Sequence, residues 1–338
     1  MRDAGIRFRR LALRSLRTVD LSVHAVLDPV RLAVSVPQAA AILAAERPAA
    51  ILTTGGYVAV PVLIAARPMR IPVALWEGNA IPGRAVRLTA RLADALAVSY
   101  EAAGKALAGA GRPTFVTGTP IRDVTALSRS EARAHLDLPA DAPTVLIFGG
   151  SQAVRRFNAA VADALPRLVE RVHVLHVTGE TGYAAALAGR ERLPADQRSR
   201  YRPYPFLRDD MPAALVATDL VVGRAGSSTV AEVTALGIPA VIVPYPHAAG
   251  HQGANAEILA AAGAARIVPD EAFDADALLA ATDILFDQPT RAAMAAAARR
   301  FGRPGAAEAV ATLLMDLAER RPLPDEARIE SIARGTAA

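Results

Sequence analysis

At 338 residues the chain exceeds the roughly 250–300 residues at which one hydrophobic core stops growing, which points to two domains. Cysteine is absent, which excludes disulfides, thiolate metal sites and cysteine nucleophiles and leans towards a reducing compartment. The formal charge of +5 comes almost wholly from arginine, with Lys105 the single lysine; it suits anionic ligands or a membrane surface, but is too diffuse, with aromatics at 4%, for a nucleic-acid partner.

Hydrophobic residues make up 52% of the chain, inflated by alanine, so a packed globular protein is expected. Met1 to Arg17 carries arginines throughout and no uninterrupted apolar region, so no secretory signal is expected. No window of roughly 18 apolar residues lacks Arg, Glu or Pro, so no transmembrane helix is expected either.

In chain order, Gly5 to Leu13 reads as a strand already inside a domain. Pro29 to Glu46 is helical in pattern, with Pro37 marking the first turn of a separate helix. Strands follow at Ala50–Thr53, Pro72–Glu77, Ala95–Ser99 and Thr114–Gly118, with helices between them. From Asp123 to Pro143 the pattern breaks, and the domain boundary is placed there. Thr144–Phe148 opens a new strand, Gly149-Gly150-Ser151-Gln152 leads into a helix, and Val172–Val177 is the next strand. Asp209-Asp210 reads as the cap of a helix start. After Pro269 only helices remain, and the tail beyond Pro322 is expected to be poorly ordered. The reading is 1–122, a first domain; 123–143, a linker; 144–303, a second domain; 304–321, a C-terminal helix able to return to the first; and 322–338, a tail. Strands alternating with helices give an α/β fold of two doubly wound, Rossmann-like domains, with a cleft between them as the default site.

One stretch carries most of the functional signal. Asp219 to Glu257 reads as strand, Gly/Ser turn, helix, strand, then a turn bearing His, Gln and Asn. Such a turn presents unpaired N–H groups at the positive end of a helix dipole, which suits a phosphate. Glu232, one turn into the helix, can accept from two vicinal hydroxyls such as those of a ribose. The competing explanation is that Thr229 and Glu232 form an ordinary capping box. His247 and His251 have no third partner to suggest a metal, and read as loop histidines.

Further motifs tie the whole chain together: Gly55-Gly56-Tyr57; Glu77-x-Asn79-Ala80-Ile81-Pro82-Gly83; Gly118-Thr119-Pro120-Ile121-Arg122; Gly149-Gly150-Ser151-Gln152 with Asn158; Phe206-Leu207-x-Asp209-Asp210-Met211; Arg224-Ala225-Gly226-x-Ser228-Thr229-Val230-Ala231-Glu232; and His251-Gln252-x-x-Asn255. In this order the chain resembles the MurG family of N-acetylglucosaminyltransferases of peptidoglycan synthesis, which has the two-domain glycosyltransferase-B fold. The resemblance implies inverting transfer of N-acetylglucosamine from UDP-N-acetylglucosamine to lipid I, the undecaprenyl-diphosphate-linked muramyl pentapeptide, giving lipid II. It implies that Asn79 touches the donor side of the cleft or the acceptor, Arg122 approaches the nucleotide sugar, and Ser151 holds the diphosphate. Leu207 would frame the uracil, Ser227, Ser228, Thr229, Val230 and Ala231 would bind phosphate and ribose, and Glu232 would take the ribose hydroxyls. Gln252, with Asn255 nearby, would contact the sugar. Asn79, Arg122 and Ser151 can instead be a turn former, a surface arginine and a helix cap.

No cofactor and no metal are implied, because backbone N–H groups and a helix dipole can stabilise the leaving diphosphate. The catalytic base is not identified, Glu77 being a weak candidate. The implied partners are UDP-N-acetylglucosamine, lipid I and the cytoplasmic membrane surface, with peripheral docking at that face around Arg7, Arg9, Arg14, Arg17 and the helix near Leu32. A solvated basic strand edge is the alternative for those arginines. Other readings are another glycosyltransferase-B enzyme with a different nucleotide sugar or lipid acceptor, and a non-catalytic nucleotide-sugar-binding fragment.

The sequence departs from the family at its front, where the GGTGGH loop that contacts the acceptor diphosphate is absent. The first domain is therefore expected to be incomplete at its N-terminus, through a misplaced start or as a fragment; an upstream in-frame sequence without that loop would sink the first version. Trp76 and Gly78 stand where the family has His and Gln around the Glu, and Ala153 where it has Gly.

Overall fold

A computed structural model describes residues 7–13, 23–124, 127–150, 154–248 and 250–336. Its helices and strands run α1 (Val23–Glu46), β1 (Ile51–Thr53), α2 (Ala59–Ala66), β2 (Val73–Glu77), α3 (Arg84–Thr89), β3 (Ala95–Val98), α4 (Glu101–Leu107), β4 (Thr114–Val116), α5 (Arg129–His135), β5 (Thr144–Phe148), α6 (Val154–Arg171), β6 (His173–Val177), α7 (Glu180–Glu191), β7 (Tyr201–Tyr204), α8 (Met211–Ala217), β8 (Leu220–Gly223), α9 (Ser227–Leu236), β9 (Ala240–Ile242), α10 (His251–Ala261), β10 (Ala265–Ile267), α11 (Ala275–Thr282), α12 (Gln288–Phe301), α13 (Ala306–Ala318) and α14 (Glu326–Arg334). Residues 1–118 with 305–338 form one compact unit and residues 119–304 the other.

The first unit holds a parallel sheet in the order β1-β2-β3-β4. Side chains alternate across it with the strand period of two. Leu75, Leu96 and Val98 face α1 and α2, packing with Leu43 and Leu63. Ala95, Ala97 and Phe115 face the other way, against Val310 and Leu313 of α13 and Ile329 of α14. Gly305 lets the two C-terminal helices meet: its N–H donates to the Ala333 carbonyl at 2.9 Å, and a Cβ there would lie 2.0 Å from the Ile332 carbonyl oxygen.

Three expectations fail in this unit. Residues 7–13 form no strand; they run beside α1, where the Gln38 side chain accepts from the Ala12 N–H at 2.8 Å and donates to the Arg10 carbonyl at 3.1 Å. Side chains therefore satisfy backbone that a ladder was expected to satisfy. Pro37 does not begin a separate helix but lies inside α1, whose buried Ala39 and Leu43 anchor it through the proline. The tail beyond Pro322 is not disordered: it folds as α14, capped by Asp325, whose carboxylate accepts from the Arg328 N–H, with Ile329 fully buried.

The second unit holds a parallel sheet in the order β10-β9-β8-β5-β6-β7. All five residues of β5 are buried, as expected of a central strand covered on both faces. Val145, Ile147 and Val222 pack with Phe157 of α6 and with Phe273 and Leu278 in one continuous core. Residues 123–143, read as a linker, instead contain α5, closed by a capping box in which Ser128 and Glu131 each bond the other's backbone. Arg133 of α5 is 2% exposed and donates to the carbonyls of Pro139, Ala217 and Ala142, which fastens α5 to this unit.

Candidate functional site

Strand order in the second unit reverses between β5 and β8, which are hydrogen-bonded neighbours: β6 and β7 continue on one side, β9 and β10 on the other. In open α/β sheets ligands bind outside the carboxyl ends of the strands at such a switch point. The turns leaving these two strands are Gly149-Gly150 and Gly223-Arg224-Ala225-Gly226.

The second turn leads into α9, whose N-cap is Gly226, with no side-chain cap. Thr229 is thus the third residue of the helix and forms no capping box with Glu232. The first-turn N–H groups of Ser227, Ser228 and Thr229 are left without a side-chain cap at the positive end of the dipole. Glu232 is half-buried and makes no hydrogen bond among the described residues. Burial raises its carboxyl above the usual range, opposed by the positive charge of Arg122. Arg122 in turn donates to the Arg208 carbonyl at 2.6 Å, which ties it to the loop carrying Leu207.

Three polar side chains hold these turns. Arg224, 5% exposed, donates to Asp270 at 2.5 Å and to the Val243 carbonyl at 3.0 Å, and lies over the rings of Phe157 and Tyr245. Gln252 accepts from the Tyr245 N–H at 3.0 Å, pinning the β9–α10 loop. Asn255 is fully buried and donates to the Ala225 carbonyl at 3.1 Å. Its side chain braces the β8–α9 turn from behind, so the sugar contact expected of it is not available; burial inside α10 is the reason.

Beside the β5 turn lies a cavity of about 360 Å³. Phe148, Val177, Phe206, Leu207 and Met211 wall it, and Gly150 and Gly179 leave its mouth open. Gly150 has φ +68°, a conformation that excludes most side chains. Of these walls the sequence assigns a ligand role to Leu207 alone; the strand-glycine-helix pattern at Val177-Thr178-Gly179-Glu180 is the signal that marks the rest. Ser151, expected to hold a diphosphate, lies outside the described residues. Asp210 does not cap α8 with its side chain; it pairs with His135 at 2.8 Å.

The first unit places Glu77 and Asn79 at the carboxyl end of β2. Glu77 is 5% exposed. Its Oε1 accepts from the Asn79 N–H at 2.9 Å and from Asn79 Nδ2 at 3.1 Å, and its Oε2 accepts from the Gly83 N–H at 3.2 Å. Both carboxylate oxygens are therefore occupied by the turn that they shape.

Residues 1–98 match the glycosyltransferase family 28 N-terminal domain, and residues 144–310 match the family 28 C-terminal domain. The chain belongs to glycosyltransferase family 28. A family 28 relative from Roseiflexus sp. (strain RS-1), named UDP-N-acetylglucosamine--N-acetylmuramyl-(pentapeptide) pyrophosphoryl-undecaprenol N-acetylglucosamine transferase, is 38% identical over 83% of this chain and 72% of its own length. A relative of the same name from Corynebacterium diphtheriae is 39% identical, covering 86% and 77%. The crystal structure of Acinetobacter baumannii MurG superposes with a TM-score of 0.69 at 27% identity, covering 93% of this chain and 86% of that one. The family 28 chain has the glycosyltransferase-B type of fold, two α/β units with parallel sheets. Among its described residues no cluster of three or more His, Cys, Asp or Glu can hold a metal ion.

Proposed function

We propose that this chain transfers N-acetylglucosamine from UDP-N-acetylglucosamine to lipid I with inversion, giving lipid II. The observation that carries the reading is Glu232: a half-buried carboxylate with no hydrogen-bond partner among the described residues, on a helix whose first turn lacks a side-chain cap, at the sheet's switch point. A carboxylate in that setting is stabilised by two hydroxyls of a ligand, and the helix start by a phosphate.

The donor then lies with its uracil in the 360 Å³ cavity, framed by Leu207, and its ribose on Glu232. Its diphosphate rests on Ser227, Ser228 and Thr229, with Val230 and Ala231 behind them. Arg122 meets the diphosphate from the neighbouring loop; Ser151, expected to hold it too, lies outside the described residues. Gln252 has its amide nitrogen left for sugar hydroxyls, its Oε1 being held by Tyr245. In the reaction the acceptor hydroxyl attacks the anomeric carbon while the bond from that carbon to the diphosphate oxygen breaks. UDP departs with the electron pair, and its growing charge falls on the N–H groups of α9. The attacking hydroxyl must lose a proton; Glu77, with both oxygens committed, is better suited to shape the turn that carries Asn79 than to act as that base.

The lipid acceptor calls for docking at the cytoplasmic membrane face. Among the described residues no helix is long and apolar enough to cross a membrane. Phe8 (56% exposed), Val34 and Val58 offer apolar contact on the first unit. Of the arginines expected there, Arg9 pairs with Glu46 at 2.8 Å and Arg7 lies 3.6 Å from the same carboxylate, while Arg14 and Arg17 lie outside the described residues.

Calorimetric titration with UDP-N-acetylglucosamine, with UDP-glucose as control, tests the reading. Selective binding lost in Glu232→Ala supports it. Equal binding of both sugars favours a different nucleotide-sugar substrate, and binding unaffected by Glu232→Ala overturns the placement of the ribose.

A further inference from the structure

The first unit has a concave site at the opposite end of its sheet from the Glu77 turn. An open cavity of about 400 Å³ lies where the chain enters β2 and β3, against the end of α13. Four arginines line it, Arg67, Arg70, Arg320 and Arg321, with one carboxylate, Asp94, over an apolar floor of Ile71, Pro72 and Leu317. Arg67 lies 3.5 Å from Asp94, and Arg321 pairs with Asp316 at 2.7 Å and Glu319 at 2.6 Å. Arg70 and Arg320 have no carboxylate partner among the described residues.

These same two arginines share a backbone anomaly. Arg70 has φ +53° and Arg320 has φ +56°; among the described residues the other non-glycine residues of positive φ are Arg47, after α1, and Asp137, neither of which lines the cavity. Arg70 follows α2, where its N–H donates to the Arg67 carbonyl at 3.1 Å; Arg320 follows α13, where its N–H donates to the Leu317 carbonyl at 3.2 Å. Glycine is the residue that takes this left-handed helix-ending position without strain. At Arg70, complementing the helix dipole does not account for the choice, because Arg67, the C-cap of α2, already serves that purpose; α13 has no basic residue in its last turn, so at Arg320 the dipole is a further reason for a cation. Two strained positions, from segments 70 and 320 residues into the chain, thus bring guanidinium groups to one cavity, where glycine would have been easier.

We propose that this cavity binds a phosphate group, gripped by Arg70 and Arg320 with Arg67 and Arg321 completing the ring. Guanidinium presents paired N–H donors that match phosphate oxygens, and all four arginines are exposed and reachable from solvent. The site lies on the first unit alone and does not depend on the transfer reaction. The phosphate belongs either to a soluble oligophosphate or to a lipid headgroup, and the test separates the two sources.

The probe is inorganic pyrophosphate, titrated calorimetrically into the protein with UDP in saturating amount, and compared with the double variant Arg70→Gly/Arg320→Gly. The expected result is binding that weakens at least about tenfold in the double variant, while its melting temperature stays the same or rises. Sedimentation with phosphatidylcholine vesicles, with and without phosphatidylglycerol, assigns the source. Recruitment by phosphatidylglycerol that the double variant loses points to a headgroup; pyrophosphate binding without such recruitment points to a soluble ligand. Absence of pyrophosphate binding, or binding that survives intact in the double variant, overturns the proposal.

Discussion

Two carboxylates stand at or beyond the carboxyl ends of parallel strands, Glu77 closing β2 and Glu232 after β8, and the fold treats them in opposite ways. Glu77 is almost sealed and takes three donors from its own turn. Glu232 is half-buried with no hydrogen bond among the described residues, and burial raises its pKa. A buried acceptor with all its donors in place is a structural part; one held in a crevice without donors is stabilised only when a ligand supplies them. Similar chemistry at similar places in two related sheets thus separates into scaffold and site by hydrogen-bond accounting.

Mutation breaks this contrast most sharply at Glu77. Glu77→Ala leaves the N–H groups of Asn79 and Gly83 and the Asn79 amide without their acceptor, and should cost about 3 kcal/mol, read as a lower denaturant midpoint for the first unit with UDP affinity unchanged. At Glu232 the signs reverse. Glu232→Ala should weaken UDP binding about 100-fold, equivalent to about 2.7 kcal/mol, with a melting temperature that is equal or higher. Asn255→Leu should fall between the two classes. Losing the brace on Ala225 should cost about 1–2 kcal/mol of stability and a smaller share of affinity, because the groups that meet the ligand remain.

The smallest effect sharpens the contrast through pH. The ionised form of Glu232 is the one that accepts from hydroxyls, so UDP affinity should fall as pH drops through its raised pKa, and Glu232→Gln should flatten that dependence. Its contribution to folding has the opposite sign. A carboxyl whose folded pKa is raised favours the folded state below its unfolded value and loses that contribution as pH rises through the folded value. Acid should therefore weaken the ligand while relieving the fold at this one residue. Titrations and melts across pH, run side by side on the unsubstituted protein and on Glu232→Gln, make that divergence visible.

Much of this was legible in the sequence. Buried strands such as Thr144–Phe148 and Leu220–Gly223 are continuous apolar runs, and the glycine turns after them mark the crevice. The ambiguity of Thr229 and Glu232 was not resolvable there, because T-x-x-E describes both a cap and a coincidence. Only the helix start at Ser227 decides it. Asn255 departs from expectation because sequence spacing places a side chain on a helix without saying which face of that helix is covered. Residues 7–13 depart from it because an apolar, basic run shows no trace of the glutamine, 26 residues beyond Ala12, that satisfies its backbone. The α5 segment was legible in principle: Ser128-x-x-Glu131 is a capping signature, obscured by the alanines and prolines around it.

The first unit is assembled from both ends of the chain, with 119–304 inserted between them. During synthesis, the sheet face bearing Ala97 and Phe115 has no cover until α13 and α14 leave the ribosome. The inserted unit, continuous in sequence, can fold before the unit that precedes it, reversing the usual vectorial order. The nascent chain therefore carries an open apolar face for the time taken to translate roughly 200 residues, on the order of 10–40 seconds at elongation rates of roughly 5–20 residues per second. That interval is when a chaperone would have most to hold.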